Sequence, residues 1–115
     1  MHDELEISSG EVHGRAVLLR IKGHLDARTA PLLIQRAAAI QENGQNLVLS
    51  LAEVRFLGSG GIGALLLLME QFQEQAGSMR LAALSPEVEA VLKFLNLDQI
   101  LAIDPSEEES LAALV

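Results

Sequence analysis

Val54-Arg55-Phe56-Leu57-Gly58-Ser59-Gly60-Gly61-Ile62-Gly63, continued by Ala64-Leu65-Leu66-Leu67-Leu68-Met69-Glu70-Gln71-Phe72-Gln73-Glu74-Gln75-Ala76, is the stretch on which the fold turns. It reads as the end of a buried strand, a glycine-rich turn and a helix. The apolar residues Ile62, Leu65, Leu66, Met69, Phe72 and Ala76 recur at three- and four-residue steps along one helix face. Ser59 therefore stands at a helix start. A hydroxyl there can cap the helix by accepting a free backbone N–H, and those same N–H groups, with the positive end of the helix dipole, favour an anion. Both uses are open at this point.

Upstream, Leu5 to Ser8 is a short strand and Arg15 to Lys22 a stronger one, with Gly10 to Gly14 read as the hairpin connection. Gly23 to Pro31 follows as a loop leading into a helix. Thr29 is its expected N-cap, because Pro31 then falls in the first turn, where a missing N–H costs nothing. Asp26 is left in the loop with its carboxylate free. Leu33, Ala37 and Ile40 give that helix its buried stripe, Asn43-Gly44 stops it, and Asn46 to Ala52 begins the strand that reaches the central turn.

Downstream, Gly77 is expected to end the second helix and Met79 to Leu84 to form the next strand. Ser85-Pro86-Glu87 opens a third helix with serine as cap and Val88, Val91, Leu92 and Leu95 as its stripe, closed by Asn96. Gln99 to Ile103 is read as a last strand, and Ser106 with Glu107, Glu108 and Glu109 as the start of a terminal helix. Helices alternating with strands after an opening hairpin imply an α/β layer with parallel inner strands. Right-handed crossovers then put residues 58 to 63 at the carboxyl edge of the sheet, where such folds usually place their sites.

Composition narrows the function classes. The 115 residues suit one domain, 1–115, able to bury roughly two thirds of its unfolded surface without staples. Half the residues are hydrophobic but only three are aromatic, so Leu, Ile, Val and Ala must build the core. Cysteine is absent, which removes disulfides and thiolate chemistry. The net charge is −8, and the eight Lys and Arg residues are scattered singly, unlike the clusters that bind phosphate backbones. No direct nucleic-acid binding is expected. The N-terminus has no basic leader and the longest apolar run falls far short of a membrane span, so a cytoplasmic protein without membrane insertion is the expectation.

Catalytic and cofactor motifs fare poorly. Gly58-x-Gly60-x-x-Gly63 matches the dinucleotide fingerprint in letters, yet it follows the third strand rather than the first, and too little chain remains for a second nucleotide-binding half. Leu57 stands where a nucleophile elbow needs glycine, and His2, His13 and His24 have no metal-ligand spacing. No cofactor, metal or enzymatic activity is expected.

Four segments in order carry a resemblance. Gly23, Leu25, Asp26, Thr29 and Ala30, then Gly58 to Gly63, then Ser85-Pro86-x-Val88, then Leu95-x-Leu97-Asp98 match the pattern of STAS domains of the bacterial anti-sigma-factor antagonist type. The chain resembles that family over nearly its whole length. The resemblance implies an α/β STAS fold with a mixed sheet, an N-terminal hairpin, parallel inner strands and about four helices. It implies a partner-switching regulator that binds an anti-sigma factor which is also a serine kinase of the GHKL type, with a phosphatase as a further partner. In that family the kinase phosphorylates the first serine of the turn, here Ser59. Two positions depart from the family turn: Gly58 replaces an aspartate and Gly60 a second hydroxyl residue.

The expected partner surface comprises Asp26, Arg28, Gly58, Gly60, Gly61 and the exposed side of the second helix. There Leu67 falls among Glu70, Gln71 and Glu74 on the helical wheel, off the buried stripe. Gly60 and Gly61 imply a turn that is strained or closely approached by a partner. Two other readings stand beside the switch: a non-switching STAS module, such as a transporter subunit or a signalling scaffold, and, more distantly, a dinucleotide-binding protein.

Overall fold

The protein is described here by a computed structural model covering residues 4–114. Strand β1 (Leu5–His13) pairs antiparallel with β2 (Ala16–Leu25), and α1 (Ala30–Glu42) leads to β3 (Asn46–Leu57), which lies parallel beside β2. Helix α2 (Ser59–Glu74) then crosses to β4 (Met79–Ala82), and α3 (Pro86–Phe94) with a 3-10 turn (Leu97–Gln99) crosses to β5 (Ile103–Asp104). Helix α4 (Glu107–Ala113) ends the described chain. The sheet runs β1-β2-β3-β4-β5, parallel from β2 onward. This is the expected mixed α/β sheet with four helices.

Alternation along the inner strands sorts the core onto two faces. Val17, Leu19 and Ile21 of β2 with Leu47, Leu49 and Leu51 of β3 face one way and join Leu33, Ala37 and Ile40 of α1, Leu65, Leu68 and Phe72 of α2, and Val88 and Leu92 of α3. The intervening Ala16, Leu18 and Val48 face the other way and meet Ala82 and Leu111 of α4 in a much smaller cluster. The three fully formed crossover helices thus cover one face. A single short helix covers the other.

Several boundaries differ from the sequence expectation, each for a local reason. β1 continues to His13 and turns through Gly14, whose φ of +59° suits a two-residue connection. Gly10 is inside the strand, at a register shift between Ser9 and Val12, and a Cβ there would stand 2.7 Å from Leu18 Cδ2. β2 extends through Gly23 to Leu25 because β3 carries one extra residue at each of two irregularities and stays in register beside it. Of the expected last strand Gln99 to Ile103, Gln99 closes the 3-10 turn and residues 100–102 are turn and irregular chain, with Ile100 58% exposed, leaving only Ile103 and Asp104 in the sheet. Ala76, not Gly77, takes the left-handed conformation after α2 and lies outside the buried stripe, whose fully buried members are Gly61, Ala64, Leu65, Leu68 and Phe72. On α3, Val88 and Leu92 are buried as expected while Leu95 is 46% exposed.

The expected caps are present with one exchange of roles. Ser85 Oγ accepts from Val88 N and donates to Val54 O at 2.6 Å, tying the start of α3 to β3. Ser106 Oγ accepts from Glu109 N in the same manner at the start of α4. Thr29 is the N-cap of α1 with Pro31 in its first turn, yet its hydroxyl does not cap.

Candidate partner-docking site

The register of β2 on β3 ends with Leu25 opposite Leu57, so the loop after β2 and the turn after β3 emerge side by side at the carboxyl edge. Gly58 N donates to Leu25 O at 2.9 Å, which pins the two exits together. Gly58 is the N-cap of α2, extended at ψ 175°, and its carbonyl accepts the first helical bond from Ile62 N. Ser59 is therefore the first residue inside the helix rather than its cap, and it is exposed. Of the two uses open in the sequence, capping is excluded by this geometry.

The glycines are explained by the chain's own close approach, not by backbone strain. Neither Gly60 nor Gly61 has a positive φ. A Cβ on Gly60 would lie 2.5 Å from Ala27 Cα, and one on Gly61 would collide with the carbonyl of Leu25. The first turn of α2 thus rests directly on the β2–α1 loop. Ala27 fills the space beside Gly60, the fingerprint position whose bare backbone would have to admit a pyrophosphate.

Asp26 departs from expectation in a useful way. Its carboxylate is engaged: Oδ1 accepts from Arg28 N at 2.9 Å and Thr29 N at 3.2 Å, so Asp26 caps the entry to α1 through an Asx turn. Thr29 Oγ1 turns back to donate to His24 O at 2.8 Å and accept from Asp26 N at 3.0 Å. Partial desolvation pushes the Asp26 carboxyl upward, and the backbone N–H groups of Thr29 and Arg28 with the Arg28 charge outweigh it, so the group stays ionised below its ordinary range. A rigid loop with a fixed negative charge results. Its Cβ lies 3.4 Å from where a Gly58 side chain would start.

The structure brings Asp26, Gly58, Ser59, Gly60 and Gly61 into one edge, with Arg28 exposed on the same loop. Leu67 lies apart, two turns along α2 and about 12 Å from Ser59 by helical rise, and is 40% exposed.

Phe56 is the residue that sequence reading misplaced. Taken as the end of a buried strand, it is 49% exposed, stacks in tilted fashion on His24 with ring centroids 5.6 Å apart, and stands 3.0 Å from the Cβ position of Gly58. The extra residues in β3 break simple alternation, so parity along the strand could not reveal it. Its edge therefore lies over the place where the family's aspartate side chain would begin.

Elsewhere, among the described residues, three of the scattered cations form ion pairs: Arg20 with Glu107 at 2.9 Å, Arg80 with Asp104 at 2.7 Å, and Lys93 with Glu89 at 3.5 Å. Among the described residues no helix is long and apolar enough to cross a membrane, and no group of three or more His, Asp or Glu side chains could hold a metal ion.

An exposed serine stands on a helix start locked by interleaved backbone, beside a fixed carboxylate and an exposed aromatic ring, at the carboxyl edge of an α/β sheet. The STAS domain family model matches residues 9–110, and the chain belongs to that family. It is 29% identical over 106 residues to the anti-sigma F factor antagonist of Paenibacillus polymyxa, covering 90% of this chain and 91% of that relative. To the anti-sigma-B factor antagonist of Bacillus subtilis it is 26% identical over 92 residues, 80% of this chain and 84% of the relative. The crystal structure of an anti-sigma factor antagonist from Mycobacterium paratuberculosis superposes with a TM-score of 0.84 at 26% identity, covering 97% of this chain and 95% of that one.

Proposed function

We propose that the protein is an anti-sigma factor antagonist that docks its partner on the carboxyl edge around Ser59 and is switched off by phosphorylation of that serine. The observation that carries the reading is Ser59 itself, exposed at the first position of α2 while Gly58 serves as the cap, so that nothing in the helix start requires a hydroxyl there. The named relatives are antagonists of anti-sigma factors, and they supply the partner class. An anti-sigma factor with serine-kinase activity of the GHKL type is the partner such a switch requires, with a phosphatase to reset it.

A phosphate on Ser59 adds about −1.5 to −2 charges where free N–H groups and the helix dipole accept them, so the fold survives modification. The complex bears the effect. Burying a dianion next to the ionised Asp26 demands a cation or costs desolvation and repulsion, and a loss of about 3 kcal/mol, roughly a hundredfold in affinity, is enough to exchange partners.

The non-switching module remains the second reading because Gly58 removes the carboxylate of the family turn and the Asp26 carboxylate is engaged by its own loop. Calorimetric titration of wild type, Ser59→Ala and Ser59→Glu against the purified anti-sigma factors of the organism, with mass spectrometry after ATP, separates the two. Constitutive binding by Ser59→Ala, weakened binding by Ser59→Glu and phosphate on Ser59 support the switch. Absence of phosphate, with Ser59→Glu binding as wild type does, supports the non-switching module.

A further inference from the structure

Among the described residues, nothing gives Gly63 an intramolecular reason to be glycine. It lies in the second turn of α2 with no positive φ, is exposed, and a Cβ built on it meets nothing within 4 Å. This sets it apart from Gly60 and Gly61, whose Cβ positions are filled by Ala27 and Leu25. A glycine inside a helix weakens it relative to alanine, and no close approach among the described residues offsets that loss here.

Its position is informative. Gly63 follows Ser59 by four residues and precedes Leu67 by four, so it lies between them on the exposed ridge of α2, in line with the exposed Glu70 and Glu74. The ridge therefore has a hydroxyl at one end, an apolar side chain two turns on, and a notch of bare backbone between. Residues 59–74 contain two glutamates and no Lys or Arg.

We propose that Gly63 is a specificity-determining contact at which the main chain of the anti-sigma factor closes onto α2, flanked by Ser59 and Leu67, with basic residues of that partner facing Glu70 and Glu74. The inference rests on the partner class given above and deepens it by assigning the point of closest approach. Removing the side chain lets a partner backbone come within contact of the helix. A Cβ there holds the partner off, breaking contacts at Ser59 and Leu67 together.

The test is a split between stability and affinity. Gly63→Ala and Gly63→Leu are melted and then titrated by calorimetry against each purified anti-sigma factor of the organism, beside wild type. Gly63→Ala is expected to raise the melting temperature by about 4 °C and to weaken binding about tenfold, with Gly63→Leu weakening it further. Raised stability with unchanged affinity in both variants overturns the inference while leaving the partner reading intact. A lowered melting temperature for Gly63→Ala also overturns it, because the glycine would then serve the fold. If wild type binds none of the anti-sigma factors, the partner reading fails and this assignment falls with it.

Discussion

The carboxyl edge and the α4 face of the sheet are held by different physics. At the edge, the first turn of α2 rests on the β2–α1 loop through Gly60 on Ala27, Gly61 on Leu25 and the Gly58 N–H on Leu25 O. That joint is one of shape and backbone hydrogen bonding. On the α4 face, five small or medium apolar residues form a thin cluster, and side-chain charges supply the rest: Arg20 with Glu107, and Arg80 with Asp104, whose Oδ2 also accepts from the buried Ser110 Oγ at 2.5 Å. The contrast teaches that the candidate site lies where geometry tolerates least change, while the α4 face adds charge pairs to a thin apolar cluster.

The sharpest way to break this comparison is Gly61→Val. The new side chain would have to displace the Leu25 carbonyl, which is backbone of a central strand and cannot rotate away. A loss of about 3 kcal/mol or more is expected, read as a large drop in urea midpoint. An unchanged midpoint would show that the edge is not locked by shape.

Asp104→Ala probes the other face. It leaves the part-buried Arg80 guanidinium and the Ser110 hydroxyl without their acceptor, and a loss of about 1–2 kcal/mol is expected after allowing for water around the pair. The hydrogen bond from Arg80 is the chief cause that holds the Asp104 carboxyl below its ordinary value, against partial burial, and Arg20 does the same for Glu107. Depressed carboxylates contribute stability that is complete above the unfolded values near pH 4 and is lost as pH falls through the lower folded values. Stability measured from pH 6 to pH 2 should therefore decline more steeply in wild type than in Asp104→Ala. Parallel curves would show that the charge pair does not hold α4.

The same division governs what could be read in advance. Strand and helix order, the parallel inner sheet, the caps Ser85 and Ser106 and the placement of residues 58 to 63 at the carboxyl edge follow from periodicity and turn residues, which are local. The exposure of Phe56 and the length of β2 depend on the two irregularities between β2 and β3, which are properties of pairing and leave no local signature, whereas the Asx turn of Asp26 is local and is masked by Pro31, which favours Thr29 as the cap. Gly60 and Gly61 read as strained or approached by a partner, whereas neither has a positive φ and tertiary contact shows that the approaching group is the chain itself. Leu68 shows the limit of the wheel within one helix: it is 1% exposed, whereas Ile62, Leu66 and Met69 of the expected stripe are half-buried, because α2 packs on both the sheet and α1.

The smallest expected effect concerns Leu67, next in sequence to the buried Leu68. Its 40% exposure places much of its side chain in water, so truncation removes few contacts within the fold. Leu68→Ala, by contrast, opens a cavity in the main core and should cost about 2–5 kcal/mol. If the ridge of α2 is the docking surface, Leu67→Ala weakens binding of the anti-sigma factor by about 1 kcal/mol, about fivefold, with a melting temperature nearly that of wild type. The pair of neighbours thereby separates the two demands on one helix, Leu68 serving the core and Leu67 the partner. A fall in melting temperature for Leu67→Ala comparable to that of Leu68→Ala would assign both leucines to the core and confine the docking surface to the edge around Ser59.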